Sequence, residues 1–85
     1  MSTNPELSRR ADDEIVTLLS HWLTRQLGND ELRRKVSEIG TEEIAPAQRQ
    51  AVSELLGELA VAAPGERGRL EVTVRETVET LVYGD

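Results

Sequence analysis

Residues 66–83, ERGRLEVTVRETVETLVY, decide the fold class of this chain, because this is the stretch that reads two ways. As a strand, Leu70, Val72, Val74, Val78 and Val82 alternate with polar residues, with a break at Glu76. The β-branched residues Val72, Thr73, Val74, Thr77, Val78, Thr80 and Val82 suit extended backbone. As a helix, Leu70, Val74, Val78, Leu81 and Val82 fall on one face, and Glu71 with Arg75 makes a favourable pair one turn apart. Two arguments decide for helix. The chain offers no second strand, and an unpaired strand is not stable. The segment also runs without a breaker for longer than an ordinary strand. The expected class is therefore all-α, a compact four-helix bundle-like domain. A strand over 67–83 is the lesser reading, and it would need a partner strand across a dimer.

Outward from this segment, the punctuation defines three more helices. The breaks are Gly28-Asn29, Gly40-Thr41 and Ala63-Pro64-Gly65, with Gly84 near the end. They give helices over about 8–27, 30–39, 46–62 and 67–83, in a single domain 8–85 preceded by a flexible N-terminus 1–7. The first helix is capped by Ser8, or by Asn4 with Pro5 at the first helical position. Its apolar residues Ala11, Ile15, Val16, Leu18, Leu19, Trp22, Leu23 and Leu27 cover more than half its girth, whereas a surface helix needs a stripe of only about 100°. It is expected to be central, with two or more neighbours. In the second helix, capped by Asn29 or Asp30, Leu32, Val36 and Ile39 form a narrow stripe. In the third, opened by Pro46, the core face is Val52, Leu55, Leu56, Leu59 and Ala63, with Ile44 anchoring the connection before it.

Composition bounds the rest. The chain has 85 residues, no Cys and no Phe, and 38% hydrophobic residues. Domains below about 80 residues usually need a staple, and this chain sits near that limit. A disulfide is impossible without Cys, and a structural zinc is not expected from a single His. Oligomerisation is the remaining device, so a homodimer is expected. The net charge of −6 disfavours nucleic acid and anionic membranes, both of which are bound through Lys and Arg. Residues 1–7 lack a signal-peptide pattern, and no apolar run is long enough to span a bilayer, so a cytoplasmic location is expected. Every basic residue but Lys35 is Arg, a composition typical of GC-rich bacterial genomes.

Nothing in the sequence forms a catalytic or metal-binding constellation, and no cofactor is expected. His21 has no carboxylate placed to orient it, and Arg25 one turn on opposes its charging, so it reads as a boundary residue. Asp12-Asp13 and Glu42-Glu43 are adjacent residues that diverge on a helix and suit first turns better than a shared-proton site. Arg33, Arg34 and Lys35 diverge likewise and can pair with Glu and Asp on their own helix. A helix-turn-helix is a poor fit, because the connection 40–45 is long and the following helix offers Arg49 as its cation.

The residues left over are apolar ones off the core stripes. Val72 and Tyr83 share a side of the fourth helix, and Val61 points away from the core of the third. With Trp22, which reads as core or as a binding anchor, and His21 on its rim, they make up the candidate interface. The expected function is a small acidic protein–protein interaction module or regulatory adaptor, dimeric, with a protein partner. The alternatives are a DNA-binding regulator or antitoxin, and an accessory subunit of a larger enzyme complex.

Overall fold

The computed structural model describes residues 11–63 and 65–83, which form four α-helices: α1 (Ala11–Leu23), α2 (Asn29–Ile39), α3 (Pro46–Val61) and α4 (Gly68–Tyr83). The 1–7 segment, the caps Asn4, Pro5 and Ser8, and the breakers Pro64 and Gly84 lie outside the described residues. The segment that reads two ways is helical. α1 packs on α2 and α4, and α3 packs on the same two, so the helices close into a ring. The wide apolar arc of α1 is matched by its two neighbours. Each of the other helices also has two, so α1 holds no more central a place than they do.

One cluster fills the ring. Ile15, Leu19 and Trp22 of α1, Leu32 and Val36 of α2, Val52 and Leu55 of α3 and Val74 of α4 have no solvent exposure. Ile44, Leu59, Leu70 and Leu81 complete the cluster. Ala63, expected on the core face of α3, is exposed because the helix ends before it at Val61. In α4 the buried residues are Leu70, Val74, Thr77 and Leu81. At 100° per residue these lie within about 60° of one another, whereas Val82 lies about 110° from the centre of that stripe. Val82 is accordingly exposed and Val78 half-buried, and Thr77 takes the place given to them in the sequence reading. A buried threonine is tolerated here because its hydroxyl donates to the Thr73 carbonyl at 2.8 Å.

α1 stops at Leu23, a full turn before Leu27. The terminator is Arg25, in the left-handed region at φ 66°, rather than Gly28. The Arg25 N–H donates to the Trp22 carbonyl at 3.0 Å and the Gln26 N–H to the His21 carbonyl at 2.7 Å, the paired bonds of a Schellman closure. Gly28 instead precedes α2 with extended backbone and acts as its N-cap without a side-chain bond. Neither Asn29 nor Asp30 caps α2, because the Asn29 side chain is committed elsewhere.

That commitment locks the end of the bundle. The Trp22 indole Nε1–H donates to Asn29 Oδ1 at 2.7 Å, and Asn29 Nδ2 donates to the Glu66 carbonyl at 3.0 Å. Beside them the Arg67 guanidinium lies over the indole at 4.3 Å from the ring centroid. It donates to the carbonyls of Trp22 and Leu27, both at 2.7 Å. The early stop of α1 makes this clasp possible. In a continuous helix Asn29 would sit two turns, about 10 Å, beyond Trp22 and out of hydrogen-bond reach.

The opposite end is tied by Gln48, at the third position of α3. Its Oε1 accepts the Ala45 N–H at 2.9 Å, and its Nε2 donates to the Leu81 carbonyl at 3.1 Å. Arg49 pins the preceding connection through Thr41 and Ile44, to whose carbonyls it donates at 3.2 and 3.3 Å. Gly40, at φ 81°, ends α2 with its N–H on the Val36 carbonyl.

Trp22→Ala is expected to lower stability by about 3–5 kcal/mol. Arg67→Met, which keeps an apolar stem over the indole but abandons the Leu27 carbonyl and leaves that of Trp22 with the Arg25 N–H alone, is expected to cost about 1–3 kcal/mol. Urea unfolding followed by circular dichroism measures both. In the same assay Arg25→Gly is expected to stabilise by about 0.5–1 kcal/mol, since glycine adopts the left-handed conformation without a Cβ clash.

Candidate interaction surface

α4 is held at three levels. Arg67 fixes its start to the α1–α2 turn, Gln48 fixes its last turn to α3, and the Thr73 hydroxyl donates to Glu58 Oε1 at 2.8 Å midway. With the inner side fixed, the outer side is presented in a set orientation. It carries Val72 at 58% exposure, Val82 at 60% and Tyr83 at 74%. Val72 and Tyr83 do share a side, as expected from the sequence. They stand three turns apart, about 16 Å along the axis, so they do not touch. Arg75, Glu76 and Glu79 are exposed on the helix surface between them. Val82, read from the sequence as core, joins this face. Its angle relative to Leu70 and Leu81 was the signal that could have placed it there.

The other candidate residues are dispersed. Val61, 84% exposed at the end of α3, lines a shallow cleft of about 270 Å³ with Glu58, Ala62, Glu66, Arg69 and Leu70. Trp22 has no exposure and is a core residue, with its indole N–H already bonded, so it offers no surface to a partner. His21 is exposed one position before it. Among the described residues its imidazole has no hydrogen-bond or ion-pair partner that would orient it as a base.

The remaining surface is charged and mixed. Along α2, Asp30, Glu31, Arg33, Arg34, Ser37 and Glu38 interleave both signs, and Arg34 pairs with Glu38 at 3.8 Å with both side chains about two-thirds exposed. Such a pair contributes little to stability, and the mixture of signs gives no basic stripe for a phosphate backbone. An open cleft of about 390 Å³ between α1 and α2 is lined by Glu14, Thr17, Leu18, Lys35, Glu38 and Ile39. Among the described residues no group of three or more His, Asp or Glu side chains could hold a metal ion, and no helix is long and apolar enough to cross a membrane. No protein-family model, no curated protein and no solved structure matches the chain.

Because the outer face of α4 makes no contribution to the core, Val72→Ser and Tyr83→Ser are each expected to change stability by less than about 0.5 kcal/mol. Leu81→Ala, on the opposite side of the same helix, is expected to cost about 2–5 kcal/mol. Urea titration monitored by the fluorescence of Trp22 separates the two classes.

Proposed function

We propose that this protein is a binding module that acts by presenting the outer face of α4 to another protein. One observation carries the reading. Three large apolar side chains, Val72, Val82 and Tyr83, are exposed on a helix whose inner side is fixed in the core at both ends. A single exposed valine is ordinary, but several along one helix, at a cost in solubility and with no role in folding, mark a contact surface. Tyr83 suits such a surface, because its ring buries a large area while its hydroxyl can stay hydrogen-bonded.

The rigid mounting of the helix supports the same reading. A face that needs no ordering when it docks forfeits little entropy on association. Arg75 and Glu79 sit between the apolar side chains, so the partner surface has to offer a charge of the opposite sign to each. The mode of action is the helical counterpart of a docking patch, an adaptor or regulatory contact rather than a reaction.

The test is site-specific photo-crosslinking in the cells that make the protein. A benzophenone amino acid is placed at position 72 or 83, and as a control at Ser37 on the outer face of α2. A discrete protein adduct from positions 72 and 83, and not from position 37, is the expected result. A second copy of the chain counts as such an adduct. Absence of any adduct from α4, or the same adducts from position 37, would overturn the proposal.

A further inference from the structure

We infer that the partner of this face is a second copy of the same chain, with the two α4 helices antiparallel. The inference rests on the binding-module reading and names its partner. Val72, Arg75, Glu79 and Val82 are all exposed on α4, and they follow one another at intervals of three, four and three residues. That is the spacing of the seam positions of a coiled coil. At 100° per residue they share an arc of about 80°.

The order of chemistry along this seam is apolar, basic, acidic, apolar. Turned end for end about Thr77, position 72 exchanges with 82 and position 75 with 79. An antiparallel copy therefore sets Val72 against the partner's Val82 at each end, and Arg75 against the partner's Glu79 in the two layers between. All four layers are matched. The parallel arrangement sets Arg75 against its own copy and Glu79 against its own copy, which places like charges face to face in two of four layers. The charge pattern thus selects both the partner and the polarity. Tyr83, next to Val82, extends the apolar layer at each end.

Among the described residues the other surfaces carry no comparable pattern. The outer face of α2 has no apolar seam, and the cleft between α1 and α2 is rimmed by charged side chains that no second observation connects to a ligand.

Magnitudes set the strength of the dimer. A seam from Val72 to Val82 is about 15 Å long, less than a contact of the standard ~800 Å² per partner requires. The net charge of −6 also opposes self-association at long range, although it is screened beyond about 8–10 Å at physiological ionic strength. The dimer is therefore weak and reversible, with a dissociation constant on the order of 100 μM. A weak dimer agrees with a core whose buried cluster is enclosed by the four helices of one copy.

Sedimentation equilibrium from about 10 μM to 1 mM tests this, with circular dichroism confirming that each variant is folded. The wild type is expected to show a monomer–dimer equilibrium. Arg75→Glu alone and Glu79→Arg alone each create like-charge layers and are expected to weaken the dimer at least about tenfold. The double variant R75E/E79R restores opposite charges in both central layers and is expected to recover affinity to within about threefold. A chain that stays monomeric across the range, or a dimer indifferent to the swaps, would overturn the inference. Monomeric behaviour together with a crosslink from position 72 or 83 to a different protein would overturn self-pairing and leave the binding-module reading standing. Monomeric behaviour with no crosslink would overturn both.

Discussion

The clasp among Trp22, Asn29 and Arg67 is the constraint on which the rest of this structure depends. A chain of 85 residues without Cys or Phe builds its core from aliphatic side chains and one indole. Such a core is adequate in kind and small in quantity. The clasp closes the α1–α2 turn with the Trp22–Asn29 bond and ties that turn to the α3–α4 connection by three further hydrogen bonds and a guanidinium stacked on the indole. It joins residues up to 45 positions apart in sequence. It also satisfies polar groups that would otherwise lack a partner: the indole N–H, the Asn29 amide and the Leu27 carbonyl. Left unpaired, each would oppose folding by about 1–3 kcal/mol. Polar groups here close the ring where a larger domain would use more apolar surface.

A consequence is that α4 is positioned from its ends rather than by an unbroken apolar face. Arg67 holds one end and Gln48 the other, and the four buried side chains between them occupy a narrow stripe. The outer side is then released from any duty in the core. Val72, Arg75, Glu79 and Val82 could be exchanged for polar residues with little effect on the fold. The order apolar, basic, acidic, apolar at those positions is therefore not imposed by packing, which is what the proposed docking role draws on.

The class of fold was legible in residues 66–83, because a lone strand has nothing to pair with and a long unbroken run favours helix. Gly40 and Pro46 also marked their boundaries well, since each acts through its own backbone. Two features were not legible, each for a tertiary reason, and a third was legible only in the angular positions along α4. Asn29 stands where an N-cap would be expected, but a buried indole N–H nearby competes for its side chain and wins. Arg25 ends α1 although nothing in its side chain favours φ above zero, because the chain has to return Asn29 to Trp22. Thr77 is buried and Val82 exposed, the reverse of their hydropathy, because angular position on α4 outweighs composition once the helix is fixed at both ends. Of the candidate interface residues, Val61, Val72, Tyr83 and His21 were correctly read as lying off the core, and Trp22 took its core reading. The contribution of Arg67 and Asn29 was not legible either, because it depends on contacts between residues far apart in sequence.

The most direct measurement is the hydrogen exchange of the Trp22 indole N–H, a single resonance because the chain has a single tryptophan. With the clasp closed, this proton exchanges through global unfolding. Its rate should match that of the most protected core amides and rise with urea along the same slope. Exchange orders of magnitude faster than those amides, and insensitive to urea, would show the end of the bundle opening on its own and would contradict the role given to the clasp.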